Sequence, residues 1–505
     1  MTAQVYAVHA ACIRGVEAQP VTVEVSISGG LPSIVLVGMA DSSVMDARHR
    51  IRCALRSAGF EVPRASITVN LAPGDVRKTG SSLDLPIAIA ILAASGQIPL
   101  NGIDECLFAG ELALNGDIAP VNGEVAYQIL ARDSGLEFIG AFGGQHVALD
   151  GVAHSCLARL HGLSHGIRDA VRAVPERTAA TDEDAAIDFS DVLGQEVVKR
   201  ALAIAAAGDL GVLMIGAPGS GKTMLARRLT TILPPLESHE LQDALCIHSV
   251  AGERIEGLLA GHRPFRSPHH SVSAAGLVGG GRPVRPGEVS LAHGGVLFLD
   301  ELAEFPSHVL QMLRQPMEDH EVRIVRADGL YRFPCRFRLL AASNPCPCGY
   351  LGDDEIPCSC PPAAVERYRS KLGGPLMDRI DMVLDVHRPD PQVILEGAEG
   401  ATSNDLARLV ETGRAYRHWR EARSQASDRL ACGGRAVMDA VAQRFQLADD
   451  AQETVLSMAR ATHLTGRGIM RLGRIARSIA DVQESEQVTS QHVLEAAVYQ
   501  GRREQ

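Results

Sequence analysis

The sequence predicts a multidomain α/β protein, and three observations lead to this prediction. The chain has 505 residues, which is too long for a single hydrophobic core. Its first part alternates short β-rich runs, such as VTVEVSI and SITVNLA, with helical patterns. Its centre repeats an apolar strand, a glycine-rich turn and a helix, and its last part contains long helical patterns with few strand signals.

These patterns divide the chain into three domains and a linker. Residues 1–172 are predicted to form an α+β domain, and residues 173–188, which are small, polar and acidic, to form a linker. Residues 189–388 predict an α/β domain around a mostly parallel sheet. Residues 389–505 predict a small helical domain.

The composition excludes several classes of protein. The N-terminus lacks the basic start and unbroken apolar run of a secretory signal, and no uncharged stretch reaches the roughly 20 residues of a membrane span. We therefore expect a cytoplasmic protein with reduced thiols and no membrane partner. The net charge of −11 excludes a uniformly basic coat, so a nucleic acid would have to meet a local basic surface.

The strongest motif follows the apolar strand GVLMI and precedes a helix. It has the form G-x-x-x-x-G-K-[ST], the phosphate-binding loop, in the strand, loop and helix context that it requires. In such a loop the backbone N–H groups converge on the phosphates of ATP, Lys222 neutralises phosphate charge and the Thr223 hydroxyl binds Mg²⁺. The predicted ATP-binding loop comprises Gly216, Ala217, Pro218, Gly219, Ser220, Gly221, Lys222 and Thr223.

Two further apolar strands end in polar side chains. The run GGVLFLDE ends at Asp300 and Glu301, and RFRLLAASNP ends at Asn344. Parallel strands present their carboxyl ends at one crevice, so Asp300 is predicted to hold Mg²⁺ and Glu301 to polarise the attacking water. Asn344 is either a turn former or a residue that orients this water.

Cysteines concentrate in NPCPCGYLGDDEIPCSC, residues 344–360. Two Cys-x-Cys pairs can supply the four thiolates of a tetrahedral zinc site. Their one-residue spacing is less usual than Cys-x-x-Cys, so reduced thiols, or a disulfide under oxidation, remain the alternatives. The candidate zinc ligands, within a predicted insert at 346–360, are Cys346, Cys348, Cys358 and Cys360.

A β-hairpin is predicted in EVRIVRADGLYRFPCRFRLL, because the apolar positions alternate around Asp328-Gly329. The candidate DNA-binding side chains near its tip supply cations for phosphates and a ring for stacking. The alternative is an arginine-rich face that only water contacts. These candidates are Arg323, Arg326, Tyr331 and Arg332.

A second loop, FRSPHHSVSAAGLVGGGRPVRPGE, is rich in glycine. It carries His269, His270, Arg282 and Arg285, and we interpret it as a mobile loop that faces a pore. Two adjacent histidines without nearby acids or cysteines are weak metal ligands.

The strands that end at the phosphate loop, at Asp300-Glu301 and at Asn344 resemble the P-loop, Walker B and sensor-1 elements of AAA+ ATPases. The resemblance implies an arginine finger at Arg379, in GPLMDRID, that reaches the γ-phosphate of a neighbouring subunit. It also implies a sensor-2 arginine at Arg467 on a lid helix, and a homo-hexameric ring. In one branch of these ATPases a hairpin at the place found here projects into the central pore.

The fuller resemblance is to the magnesium-chelatase-like YifB/ComM family. It rests on GLPSIVLVGMADSSVMDARHRIRCALRSAGF, GELALNGDIAPVNGE, FRSPHHSVSAAGLVGGG, the cysteine stretch and the helical end. It implies an ATP-driven hexameric DNA helicase that promotes branch migration during recombination in natural transformation, with single-stranded or branched DNA and recombination proteins as partners. The segment GDLGVLMIG departs from the family by lacking a His-Asn pair, which puts an adenine contact in doubt.

The N-terminal domain resembles that of Lon-type proteases, which makes peptide hydrolysis an alternative to test on the residues. Lys78-Thr-Gly-Ser-Ser82 places Ser82 at the Lon nucleophile. The corresponding base position holds Val125, which accepts no proton, so we expect a scaffold rather than a protease. Two other functions stay open: a chelatase-type motor subunit that remodels a protein partner without DNA, and a nucleotide-gated assembly scaffold.

Overall fold

The computed structural model describes residues 4–500 apart from 144–146, 148, 175–186, 354, 372–375, 378, 390, 398–399 and 431–440. Most of the predicted linker, 173–188, therefore lies outside the described residues. The protein is a mixed α/β multidomain chain with a C-terminal helical region, as the sequence predicts. Among the described helices, none has both the length and the apolar character needed to cross a bilayer.

The N-terminal domain contains an eight-stranded mixed sheet in the order β10-β9-β8-β5-β1-β2-β4-β3. Strands β1 and β2 pair antiparallel over their whole length, and helix α2, apolar on every side, is fully buried against them. The strands are β1 (Gln4–Arg14), β2 (Glu17–Ser28), β3 (Ser33–Val37), β4 (Ser66–Ala72), β5 (Cys106–Phe108), β6 (Glu111–Leu112), β7 (Ile118–Ala119), β8 (Glu137–Ala141), β9 (His154–Leu157) and β10 (Arg172–Ala173). The helices are α1 (Ser42–Ser57), α2 (Asp84–Ala94), α3 (Glu124–Asp133) and α4 (Ile167–Ala170).

The central domain contains a five-stranded parallel sheet in the order β12-β15-β18-β11-β19. Its strands and those of two hairpins are β11 (Val212–Ile215), β12 (Phe265–Arg266), β13 (Gly279–Gly280), β14 (Arg285–Pro286), β15 (Val296–Leu299), β16 (Glu321–Arg326), β17 (Gly329–Pro334), β18 (Arg338–Ser343) and β19 (Met382–Asp385). The helices are α5 (Glu196–Gly208), α6 (Lys222–Arg228), α7 (Ser238–Ala251), α8 (Glu256–Leu259), α9 (Ala274–Val278), α10 (Glu288–Leu291), α11 (Ser307–Gln311), α12 (Arg314–Asp319) and α13 (Pro362–Lys371).

The C-terminal region is helical throughout its described residues. Helix α18 has one apolar stripe, and its buried residues share one hydrophobic core with α5 and β11 of the central domain. The helices are α14 (Pro391–Glu396), α15 (Ser403–Leu430), α16 (Val441–Phe445), α17 (Asp449–Ala461), α18 (Gly466–Val482) and α19 (Ser490–Val498).

A smaller apolar cluster joins the N-terminal domain to the central one. Val125 and Ala126 of α3 pack in it with Ala244 and Leu245 of α7. The backbone N–H of Gly123 also donates to the carbonyl of Ser249, at 3.0 Å. The two domains are therefore in direct contact.

Candidate nucleotide site and its surroundings

The parallel sheet brings three polar strand ends to one edge. In the register of β11, β18 and β15, Ile215 pairs with Ser343 and Leu299 pairs with Ala341. The residues that follow these strands, namely Gly216, Asn344 and Asp300, therefore leave the sheet side by side. This is the edge at which ligands bind in open α/β sheets.

The loop between β11 and α6 turns on two glycines. Gly219 has φ +79° and Gly221 has φ +88°, which L side chains rarely adopt. Gly216 lies so close to the end of β19 that an added Cβ would be 2.2 Å from the carbonyl oxygen of Val386. Ser220 is buried, and its Oγ has no hydrogen-bond partner among the described residues.

Lys222 lies at the centre of this edge. Its Nζ donates to the carbonyls of Gly216, at 2.7 Å, and Ala217, at 3.0 Å, and lies 3.4 Å from Asn344 Oδ1. Burial lowers the pKa of the ammonium, while the charges of Asp300 and Glu301 oppose this shift. The amine is thus held beside the strand end that carries Asn344, close to the two acids.

Thr223 and Asp300 are directly connected, since the Thr223 Oγ1 donates to Asp300 Oδ2 at 3.0 Å. A hydroxyl and a carboxylate are oxygen ligands of the kind that Mg²⁺ takes together with phosphates and waters. The donor set at this point therefore fits Mg²⁺.

Glu301 has an unusual backbone conformation. Its φ of 52° and ψ of 47° lie in the left-handed region, which costs free energy for a residue other than glycine. Its N–H donates to Asp300 Oδ1 at 3.0 Å, and its Oε2 lies 3.4 Å from His270 Nδ1. The carboxylate is more than half exposed, at 57%.

His270 was not predicted to contact the site. The sequence placed it in a loop that faces a pore, whereas the structure puts its ring near Glu301 and edge-on to Phe305, with the tilted His269 ring 4.0 Å away. The loop begins with β12, which pairs parallel with β15. This pairing carries the loop to the edge where Glu301 lies, and no spacing in the sequence indicated it.

Arg379 lies at the opposite edge of the sheet from the phosphate loop. Its carbonyl would contact a Cβ on Gly211, at 2.8 Å, and Gly211 precedes β11 whereas Gly216 follows it. These two glycines are separated by roughly 15 Å of extended strand. Arg379 pairs with Glu318 of α12 and lines a shallow surface depression together with Arg314 and Lys371.

Arg467 is exposed in the first turn of α18. Two later arginines of this helix bind the segment around Arg379: Arg471 donates to the carbonyl of Met377, at 3.3 Å, and Arg474 pairs with Asp381, at 2.7 Å. These contacts tie the middle of α18 to the Arg379 edge of the sheet.

The four clustered cysteines come together as the sequence suggested. Their sulfur atoms all lie within 4.8 Å of one another. Cys346 is buried, whereas Cys348, Cys358 and Cys360 are partly exposed. This arrangement is compatible with a metal ion bound by four thiolates.

The hairpin β16–β17 forms around Asp328-Gly329. Arg323 and Arg332 are exposed and share Glu321, at 2.9 and 3.7 Å, while Arg326 is exposed near the tip. Tyr331 is half-buried, and its hydroxyl donates to Asp328 Oδ2 at 2.9 Å.

The turn between β1 and β2 of the N-terminal domain contacts the tip of this hairpin. Arg14 donates to the carbonyl of Asp328, at 2.9 Å, and its guanidinium lies 5.7 Å from the centre of the Tyr331 ring. An added Cβ on Gly15 would lie 2.7 Å from the carbonyl oxygen of Arg332. One face of the Tyr331 ring is therefore occupied by an arginine, which the sequence did not indicate.

Lys78 and Ser82, the two residues that resemble the Lon motif, are buried. Ser82 is 4% exposed and its Oγ donates to the carbonyl of Ala11 at 3.3 Å, while Lys78 is fully buried and donates to the carbonyl of Pro73. Val125 is fully buried as well. The hydroxyl that would act as nucleophile is thus turned to backbone.

The chain matches three family descriptions. Residues 188–394 match magnesium chelatase, subunit ChlI; residues 23–140 match subunit ChlI of Mg-chelatase; and residues 400–500 match its C-terminal region. The chain is 38% identical over 504 residues to YifB of Escherichia coli, with 97% of this chain and 96% of that protein covered. It belongs to the magnesium-chelatase-like YifB/ComM family.

Two other relatives bear on function. Competence protein ComM of Haemophilus influenzae is 36% identical over 503 residues, which cover 97% of this chain and 96% of that protein. The magnesium-chelatase 38 kDa subunit of Rhodobacter capsulatus is 30% identical over 175 residues, which cover 31% of this chain and 50% of that subunit. Membership in this AAA+ family implies ATP and Mg²⁺ as ligands of the site described above.

Proposed function

We propose that the protein is an ATP-driven homo-hexameric motor on single-stranded or branched DNA, acting as a helicase or branch-migration translocase. The observation that carries the DNA part is the arginine surface formed by the β16–β17 hairpin and the β1–β2 turn. In a chain of net charge −11, cations collect where two domains meet. Arg323 and Arg332 pair directly and lie on one face of the hairpin, whereas Arg326 and Tyr331 lie on the other face, where Arg14 contacts the ring.

Phosphate contacts of this kind carry no sequence information, so binding is expected to be sequence-tolerant and sensitive to salt. The ion pairs of Arg323 and Arg332 with Glu321 are exposed, and exposed pairs contribute little free energy. Both guanidinium groups can therefore exchange Glu321 for a phosphate at small cost. The Tyr331 ring is open to a base only where Arg14 does not cover it.

The position of Arg379 supports the proposed hexameric ring of subunits. An arginine at the far edge of the sheet cannot reach the phosphates held by its own loop, but it can reach those of a neighbour packed against that edge. The basic depression that Arg379 shares with Arg314 and Lys371 suits a phosphate-bearing face. Arg467, whose helix is bound to the same edge, is proposed to act on the neighbour's nucleotide together with Arg379.

Each remaining residue has a proposed step in ATP hydrolysis. Lys222 neutralises phosphate charge, and Thr223 with Asp300 would hold Mg²⁺, which when bound would supply positive charge beside the phosphates. Glu301 accepts the proton of the attacking water, and Asn344 orients this water. His270 positions the Glu301 carboxylate.

For the N-terminal domain we propose a Lon-like fold used as a rigid scaffold without peptidase activity. A serine nucleophile needs a base, and the structure gives the Ser82 hydroxyl a backbone carbonyl instead. The contact of Arg14 with the hairpin tip gives this scaffold a role in holding the DNA-binding surface.

The cellular process proposed is DNA recombination or natural transformation. It is supported by the relative named competence protein ComM, which this chain covers almost completely. Recombination proteins are accordingly proposed partners.

The test of the proposal is strand displacement by the purified protein with ATP and Mg²⁺. Forked and four-way DNA should be unwound, and ATP turnover should rise when DNA is added. Replacing Arg326 by Ala should weaken DNA binding across all sequences and lower the slope of log affinity against log salt by about 1. Turnover that no DNA changes, together with no displacement, would contradict the motor.

A second candidate is a chelatase-type motor that remodels a protein partner without DNA. The similarity to the magnesium-chelatase 38 kDa subunit supports it. It predicts normal ATP turnover and ring formation that forked DNA leaves unchanged. The same assay therefore separates the two candidates.

A further inference from the structure

The four-cysteine cluster has the dimensions of a metal site. Cys346 Sγ lies 3.4 Å from Cys348 Sγ and 3.6 Å from Cys358 Sγ, and the last two are 3.5 Å apart. Four thiolates around a tetrahedral zinc ion with Zn–S bonds of about 2.3 Å lie about 3.8 Å from one another. A disulfide would need about 2.05 Å between two of these sulfurs.

Backbone N–H groups are directed at the sulfurs, as expected where thiolates carry charge. The N–H of Cys348 donates to Cys360 Sγ at 3.3 Å, and the N–H of Cys360 to Cys358 Sγ at 3.5 Å. The backbone of Tyr350 and of Ser359 also donates to the Cys348 sulfur. The loop thus supplies the second shell of hydrogen bonds that tunes metal–ligand sites.

The same loop forms one wall of the phosphate loop. An added Cβ on Gly349 would lie 2.6 Å from Pro218 Cδ and 3.9 Å from the side chain of Asn344. Gly349, which lies between Cys348 and Cys358 in the sequence, is thus in van der Waals contact with the phosphate loop. Asn344, two residues before Cys346, in turn lies beside the Lys222 amine.

The far side of the loop is held to the end of β19. The guanidinium of Arg388 lies 5.5 Å from the centre of the Tyr350 ring, and 3.8 Å from carboxylate oxygens of both Asp353 and Glu355. Val386, the residue after β19, also donates from its N–H to the carbonyl of Ile215, the last residue before the phosphate loop, at 2.7 Å. The cysteine loop, the phosphate loop and the end of β19 therefore make a closed set of contacts.

We propose that the four cysteines bind one zinc ion and that this ion, by holding Gly349 against Pro218, sets the shape of the phosphate loop and its affinity for ATP. The coupling rests on the ATP site described above, whereas the zinc site does not. Zinc stiffens a loop whose described residues, 344–353 and 355–361, form no helix or strand. Its loss releases one wall of the nucleotide site.

The first experiment measures zinc per chain by plasma mass spectrometry on the full-length protein, purified without chelator. We expect about one zinc per chain, and its loss in Cys358→Ser. Cys53→Ser, at an exposed cysteine outside the loop, should keep the metal. A chain that holds no zinc, even after refolding with added zinc under reducing conditions, overturns the proposal.

The second experiment measures the affinity of these proteins for a fluorescent ATP analogue. A coupling of typical size predicts a loss of about tenfold in Cys358→Ser. Lys222→Ala should lose nucleotide affinity while keeping its zinc, which separates a failure of the ATP site from a failure of the metal site. Equal ATP affinity with and without zinc overturns the coupling.

Two glycines of the loop give a matched pair that leaves the cysteines intact. Gly349 and Gly352 have similar φ angles, +87° and +79°, but only Gly349 contacts Pro218, and Gly352 has open space around it. Gly349→Ala should keep zinc and weaken ATP binding about tenfold, whereas Gly352→Ala should keep both. Equal ATP affinities of the two variants would contradict the role assigned to the wall.

Discussion

The N-terminal and central domains each contain a lysine followed closely by a hydroxyl side chain, and the two pairs differ in what surrounds them. Lys78 and Ser82 are buried, and each donates to a backbone carbonyl of its own domain. Lys222 and Thr223 lie at an open sheet edge, and Thr223 is exposed beside Asp300. Both lysines have lowered pKa values because burial disfavours the charged amine.

Residue type and a lowered pKa therefore do not by themselves make a catalytic site. At Lys78 the neighbouring groups are the carbonyl of Pro73, the charge of Asp75 and the buried thiol of Cys12, whose pKa burial raises to about 11. At Lys222 the neighbours are Asp300 and Glu301, at the end of β15, and Asn344, at the end of β18, around a crevice. Chemistry requires polar groups that converge on a space open to substrate.

The largest difference in ATP turnover is expected between Lys222→Ala and Lys78→Ala. Removing Lys222 takes away the cation beside the phosphates, so ATP turnover should fall at least about 10²-fold with little change in melting temperature. Removing Lys78 leaves a cavity that should cost about 2 kcal/mol of stability, while turnover per folded molecule stays near that of the unchanged protein. Turnover assays and thermal unfolding of both variants check this. Loss of turnover in folded Lys78→Ala would contradict the claim that only the Lys222 region takes part in ATP hydrolysis.

Glu301→Gln is expected to have the next largest effect. The amide keeps the size of the side chain but accepts no proton, so turnover should fall about 10²-fold while ATP is still bound. Binding of a fluorescent ATP analogue and phosphate release measure the two properties separately. Normal hydrolysis by this variant would mean that the catalytic base lies elsewhere.

His270→Ala should have a smaller effect on the nucleotide site. We expect kcat to fall about tenfold, because the imidazole ring acts through the Glu301 carboxylate. His270→Gln, which can still donate to Glu301, should recover part of the loss, and KM for ATP should not change in either variant. A purely structural role would be indicated if Gln were no better than Ala.

Ser82→Ala tests the buried Lys78 and Ser82 pair of the N-terminal domain, and it should have the smallest effect on ATP turnover. The variant loses the hydrogen bond to the carbonyl of Ala11 and the one with the Tyr127 side chain, which should cost about 1 kcal/mol each or less. ATP turnover should stay unchanged, and neither protein should cleave unfolded substrates such as casein. Peptide cleavage that disappears in Ser82→Ala would refute the scaffold interpretation.

Much of the site could be predicted from the sequence because local patterns define it. Apolar strands followed by a glycine-rich loop at Gly216 and by polar residues at Asp300 and Asn344 place these positions at one edge once the strands are parallel, and Asp328-Gly329 marks a hairpin turn. Contacts that depend on tertiary packing could not be predicted in this way. His270 reaches Glu301 through the pairing of β12 with β15, and Arg14 meets the hairpin through the docking of two domains.

The central claim, that neighbouring subunits share each ATP, is tested most directly by mixing Lys222→Ala with Arg379→Ala. Each variant alone should lose about 10³-fold in DNA-stimulated turnover, since each removes one side of every shared site. Mixed rings contain interfaces at which an intact Lys222 faces an intact Arg379, in about a quarter of cases for random mixing, so turnover should return. No recovery in mixed rings that are shown to form, or full turnover by Arg379→Ala alone, would contradict the claim.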